Sequence, residues 1–126
     1  MDNPHTHLCI ISLASNHDAE KNLPEARQCL EQILISPHFT EALWTEPIGS
    51  QRPDLYLNQL VQAHTMLTAE QLNQVLKDIE QRMGRSQEDR QAGIVRIDID
   101  LLQYDAERHH LRDWQRPYVQ RLLPQL

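Results

Sequence analysis

Asp98 and Asp100, within Ile94-Val95-Arg96-Ile97-Asp98-Ile99-Asp100-Leu101-Leu102, are the pair in this chain whose type and spacing best suit chemistry. Ile97, Ile99 and Leu101 alternate with Arg96, Asp98 and Asp100, the period-two pattern of a half-buried strand. Side chains two apart on a strand share a face, so a rise of about 3.3 Å per residue sets the two carboxylates roughly 6–7 Å apart. Hard cations such as Mg²⁺ take oxygen ligands, usually one or two carboxylates with the remaining positions left for water and substrate phosphates. The plainer alternative is a solvated strand face on which Arg96 and Asp98 balance.

A chain of 126 residues is expected to fold as one domain over residues 1–126, with 1–6 a mobile terminus. Its 40% hydrophobic and 24% charged residues are those of a soluble globular protein. The formal net charge of −6, without any block of Lys or Arg, disfavours nucleic acid as a partner while leaving room for a small anion beside a few arginines. Cys9 and Cys29 are too few for a disulfide framework and are expected to be reduced core thiols. The polar start lacks a signal-length apolar run, and Leu8 to Ala14 is too short to cross a bilayer, so no membrane is expected and the compartment is expected to be the cytoplasm. His5-x-His7-x-Cys9 has the alternation of a zinc site, but with no fourth ligand evident it reads as a terminal tail.

The elements that must position the aspartates follow in order. Leu8 to Leu13 is a continuous apolar run suited to a central strand. Asn22-Leu23-Pro24-Glu25 predicts a helix start running to about Ile35, with Leu23, Ala26, Leu30 and Leu34 as its apolar stripe and Pro37 closing the segment. A strand is expected over about Phe39 to Thr45, then a polar loop Glu46 to Asp54. The next strand, Tyr56 to Leu67, places Tyr56 and Asn58 on one face and Leu57, Val61, Ala63 and Leu67 mostly on the other. Thr68 and Gln71 form a capping box ahead of the stripe Leu72, Val75, Leu76, Ile79 and Met83, ending near Gly84. Ser86 to Gly93 reads as a mobile polar loop, and a last helical turn is expected over Arg116 to Leu123. Strand, helix, strand, strand, helix, strand is the βαββαβ order of a ferredoxin-like α+β antiparallel sheet with helices packed on one face.

Five short segments then carry a resemblance over nearly the whole chain. They are Ala14-Ser15-Asn16, Leu43-Trp44-Thr45-Glu46-Pro47-Ile48-Gly49, Asp54-Leu55-Tyr56-Leu57-Asn58, Ile79-Glu80-Gln81-Arg82-Met83-Gly84-Arg85 and Asp98-Ile99-Asp100-Leu101. In order and spacing they resemble the 6-hydroxymethyl-7,8-dihydropterin pyrophosphokinase family of the folate pathway. The resemblance implies pyrophosphate transfer from ATP to 6-hydroxymethyl-7,8-dihydropterin. It also implies that Asp98 and Asp100 hold two Mg²⁺ ions on the ATP phosphates. Thr45, Tyr56, Asn58 and Tyr118 would line the pterin pocket, and Glu80, Arg85 and Leu101 would lie on the nucleotide side. Arg85 and Arg96 would be the charge-stabilising catalytic arginines. Arg96, two residues before Asp98, would share its face, pairing with it when the site is empty and meeting a phosphate when nucleotide is bound.

The chain also departs from that family. Ala92-Gly93-Ile94-Val95-Arg96 stands where the family has Trp-Gly-Pro-Arg-Thr, Gln87 replaces a basic loop residue, and Ala14 replaces a glycine. No histidine fills the phosphate-binding place in the shortened Arg112-Asp113-Trp114-Gln115-Arg116 stretch. Three readings stay open: an authentic pyrophosphokinase, a catalytically impaired relative that binds pterin or nucleotide, and an unrelated ferredoxin-like metal-binding or interaction domain.

Overall fold

A computed structural model describes residues 5–47, 53–84 and 86–126. Most of the terminus expected to be mobile, the centre of the loop after Thr45, and Arg85 lie outside the described residues. The elements are β1 (His7–Ser15), α1 (Ala19–Ile33), β2 (Ile35–Phe39), β3 (Leu43–Thr45), β4 (Tyr56–Thr65), α2 (Ala69–Arg82), α3 (Gln87–Ala92), β5 (Asp98–Tyr104), β6 (Glu107–Arg108) and α4 (Pro117–Leu122), with a 3-10 turn on either side of α4. The sheet runs β2-β4-β1-β5-β6 with β3 also on β4, and every pair is antiparallel. With β2 and β3 sharing one strand position, this is the ferredoxin-like α+β order expected from the pattern of elements.

The apolar run of β1 puts it in the middle, because a strand buried on both faces needs apolar residues at consecutive positions. Cys9, Ile11 and Leu13 join Leu57, Val61, Ile99 and Leu101 beneath Leu23 and Leu30 of α1 and Leu72, Leu76 and Ile79 of α2. On the other face Ile10, Leu60 and Leu102 pack against Trp114, Val119 and Leu122 of the C-terminal segment. The helices therefore lie on both faces, not one, because the short α4 carries just enough apolar surface to cover part of the second. Burial raises the Cys9 thiol to about 11, and both Cys9 and Cys29 are free.

Five features of the elements differ from expectation. Helix α1 starts at Ala19 rather than Asn22, since buried Ala19 extends the apolar stripe and the Asn22 amide reaches back to the His17 carbonyl at 2.7 Å instead of capping. The single strand expected over 39–45 is two, β2 and β3. Between them the Thr40 hydroxyl accepts from Leu60 N–H at 3.0 Å, replacing a ladder bond. Pro37 lies inside β2, where an edge strand tolerates the missing N–H, rather than closing the helical segment. Ser86 to Gly93 is helix α3 and not a loop: the Ser86 hydroxyl accepts from Asp89 N–H at 3.0 Å, and Gly93 ends the helix at φ 73°. Lastly, β5 begins at Asp98, because Asn16 at the end of β1 takes up the backbone before it. Its side chain accepts from Val95 N–H at 2.6 Å and donates to the Gly93 carbonyl at 2.9 Å. Helix α2 is as expected, with the Thr68–Gln71 capping box reciprocal and Gly84 following it at φ 102°.

Candidate functional site

Strand register builds the site. Ala14 pairs with Asn58 on one side and Asp98 on the other, and Ser12 pairs with Asp100. An amide, a methyl group and a carboxylate thus stand in one row across three strands, on the face that α4 leaves partly open. Side chains from this row and its neighbours line a cleft of about 370 Å³, with Thr45 and Tyr56 on one wall and Asp113, Arg116 and Tyr118 on another. The small side chain of Ala14 leaves a flat floor between Asn58 and Asp98.

The wall beside β3 is stiff. Asn58, only 3% exposed, donates its amide N–H groups to Thr45 Oγ1 at 2.6 Å and to the Leu43 and Tyr56 carbonyls at 3.2 Å each. Such bonds fix the amide plane before any ligand arrives, which lowers the entropic cost of binding. Tyr118 faces this wall from α4. Burial, then the negative charge of Asp113, pushes its phenol up to about 12, so it stays a neutral hydrogen-bonding ring. A flat, polar-edged ring fits between such walls.

The opposite end is acidic. Glu80, Asp98 and Asp100 offer carboxylate oxygens within 4.8 Å of one another. Burial, followed by the charges of Asp100 and Glu80 and a hydrogen bond with Glu80, pushes Asp98 up to about 7. The all-oxygen donor set fits a hard divalent cation such as Mg²⁺ rather than a soft metal. Glu80 sits behind the two aspartates at 2% exposure and accepts from Ile99 N–H at 2.6 Å, so it ties α2 to β5 as well as adding charge.

The tertiary structure thus brings together seven of the residues picked from sequence: Thr45, Tyr56, Asn58, Asp98, Asp100 and Tyr118 line the cleft, and Glu80 stands behind its acidic end. Arg96 and Leu101 are placed differently. Arg96 precedes β5, so strand alternation does not apply to it. Its Nε donates to Asp89 Oδ2 at 2.7 Å, away from the aspartate face, with the pair holding Asp89 below and Arg96 above their ordinary values. Leu101 is fully buried under α1 and α2, on the sheet face turned away from the cleft, so its side chain cannot touch a nucleotide there. Arg85 lies outside the described residues.

Two cationic residues not picked from sequence stand at the site. Arg116 lines the cleft, held by Asp113 at 2.8 Å. Its signal was the Pro117 that opens α4, which makes Arg116 the cap residue at the cleft mouth. Lys77 reaches the acidic cluster from α2, and no local pattern announces it.

Fold and site define a class: a ferredoxin-like α+β protein whose open sheet face joins a rigid, ring-sized pocket to a carboxylate cluster. Residues 10–126 match the family described as 7,8-dihydro-6-hydroxymethylpterin-pyrophosphokinase (HPPK), and the chain belongs to that family. It is 31% identical over 120 residues to the folate synthesis bifunctional protein of Arabidopsis thaliana, an alignment covering 87% of this chain and 25% of that protein. The chain thus spans about a quarter of the length of this curated relative. Membership in the family removes the third reading, an unrelated ferredoxin-like domain. No described helix is long and apolar enough to cross a membrane.

Proposed function

We propose that this chain transfers pyrophosphate from ATP to the hydroxymethyl group of 6-hydroxymethyl-7,8-dihydropterin, as a step of folate biosynthesis. The observation that carries the reading is the register row Asn58–Ala14–Asp98, which puts a ring-sized pocket and a carboxylate cluster in one cleft. Asn58, Thr45, Tyr56 and Tyr118 hold the pterin between the β3 wall and α4. Asp98 and Asp100 are the ligands for Mg²⁺, two ions with ATP as co-substrate. When bound, the metal supplies charge neutralisation and alignment of the phosphates, the larger part of catalysis in phosphoryl transfer.

The substrate oxygen loses its proton to solvent and forms a bond to the β-phosphorus while the bond from that phosphorus to the α-phosphate bridging oxygen breaks, releasing AMP. The residues' task is to bring the hydroxymethyl carbon to the acidic end, which the rigid Asn58 wall does by fixing the ring. Arg116 faces the cleft with a guanidinium suited to phosphate oxygens. One domain comprises residues 1–126, and we place it in the cytoplasm, a compartment that its free thiols suit.

A second reading, an impaired enzyme that still binds its ligands, is favoured by Arg96: the nearest substitute for the family's loop arginine is engaged by Asp89 instead of facing the aspartates. One lost charge-stabilising group is worth on the order of 10²–10³ in rate. Transfer one to several orders of magnitude below roughly 1–10³ per second is therefore expected. An AMP-release assay with ATP, Mg²⁺ and the pterin decides between them. Turnover inside that range overturns the impaired reading, and absence of both turnover and ligand binding overturns the function itself.

A further inference from the structure

The acidic cluster already contains a cation. Lys77 Nζ lies 3.1 Å from Glu80 Oε2, 3.2 Å from Asp100 Oδ1 and 3.2 Å from the Ile99 carbonyl. An ammonium has three protons, and these three acceptors use them. Glu80 cannot swing away with its partner, because it is buried and bonded to Ile99 N–H at 2.6 Å. Lys77 stands three residues before Glu80 on α2, so the helix that seals the apolar face also sends a positive charge to the edge of the cleft.

We propose that Lys77 determines how this chain loads its cations: its ammonium is a resident monocation on the Glu80–Asp100 side of the cluster, and a divalent ion that uses that side of Asp100 must displace it. The inference deepens the reading above and rests on its assignment of Asp98 and Asp100 as metal ligands. The first divalent ion is placed at Asp98, which lines the cleft while hydrogen-bonded to Glu80 and within the field of the same ammonium. The second position opens when nucleotide phosphates bring further oxygen ligands and enough negative charge to outweigh the ammonium. Lys77 is a positioning residue, acting on substrate through the cation.

A lysine that served only as a tie between α2 and β5 would behave differently on removal. Its loss would lower stability by the same amount with or without divalent ion. Loss of a resident cation instead leaves three carboxylates within 4.8 Å of one another with no ammonium among them, and close like charges draw in any cation available.

The test is Mn²⁺ binding to nucleotide-free protein, followed by the electron paramagnetic resonance signal of the free ion, with thermal melting in chelator and in Mg²⁺. Wild type, Lys77→Gln, Lys77→Arg and Asp98→Asn are compared. Lys77→Gln is expected to bind Mn²⁺ about tenfold more tightly than wild type, within the 5–150-fold range usual for coupled sites. Its melting temperature should fall in chelator and recover in Mg²⁺ by more than wild type gains. Lys77→Arg, which keeps the charge, should follow wild type. If Lys77→Gln does not fold in chelator, refolding on addition of Mn²⁺ supports the proposal, and failure of both it and Lys77→Met to refold overturns it. Equal Mn²⁺ affinity in wild type and Lys77→Gln, with Asp98→Asn weaker than both, overturns the role of Lys77 and leaves the cation site standing. Equal affinity in all four proteins overturns the site together with the inference.

Discussion

On β1, Cys9, Ile11 and Leu13 turn toward α1 and α2, while Ser12 and Ala14 turn toward the cleft. Neighbours on β4 and β5 divide the same way: Leu57, Val61, Ile99 and Leu101 go to the closed face, and Asn58, Asp98 and Asp100 to the open one. The two regions share a backbone yet work under opposite demands. Beneath the helices, removing apolar surface from water supplies stability, and interdigitated side chains tolerate little change. On the other side the C-terminal segment covers only one end with Trp114, Val119 and Leu122, so the remaining polar groups stay available to ligands. The cleft is therefore held rigid from behind. Glu80 and Lys77 come from a helix of the closed face and fix the aspartates from underneath.

Substitutions can break that division, and the largest expected effect is on the open face. Asp98→Asn combined with Asp100→Asn should abolish Mg²⁺-dependent binding of a non-hydrolysable ATP analogue, measured calorimetrically, while the protein stays folded. Its melting temperature without metal should equal or exceed wild type, as close like charges are removed. A double variant that binds the analogue normally would refute the cation assignment.

On the closed face the reverse outcome is expected. Leu13→Ala or Leu76→Ala empties a fully buried position and should cost about 2–5 kcal/mol in denaturant unfolding. Bound ligand should then recover part of the stability by mass action, because the cleft itself is untouched. Ala14→Leu tests the row between the two ends. It should leave the apolar core intact but weaken pterin binding by about tenfold or more, the cost of roughly 1–3 kcal/mol for overfilling a packed site.

Acidity sharpens the comparison further. Asp98 is raised from 3.8 to about 7, so in the folded, metal-free protein it holds its proton more tightly than in the unfolded chain. The stabilisation from this group is complete below its unfolded value and is lost as pH rises through about 7. Metal binding needs the charged form, so apparent Mg²⁺ affinity should increase between pH 6 and pH 8. Asp98→Asn should flatten the stability profile between about pH 4 and about pH 7, and an unchanged profile would assign it to another group.

The smallest effect is expected at Arg96. Arg96→Ala should change the rate of pyrophosphoryl transfer by less than about tenfold, since its partner is Asp89 and not a cleft residue. Faster amide exchange in α3, with the global melting transition nearly unchanged, would locate its role in holding that helix.

Local pattern carried much of this molecule. The Thr68–Gln71 box and the stripe through Leu72, Leu76 and Ile79 specify α2 without help, because capping and three-four spacing act within one turn. Alternation likewise placed Asp98 with Asp100, and Tyr56 with Asn58, on shared faces, and the ordered motifs identified the family. What alternation could not report is where it starts. Asn16 holds the Val95 backbone from a distant strand end, so β5 begins after Arg96 and the arginine turns to Asp89. Short helix α3 escaped because an all-polar stretch has no apolar period, even though Ser86, Asp89 and Gly93 mark its ends. The meeting of Asn58, Ala14 and Asp98 in one row, and the reach of Lys77 into the carboxylates, belong to the tertiary structure alone. Sheet register and helix docking join residues far apart in the chain, and their energies depend on partners that no local window contains.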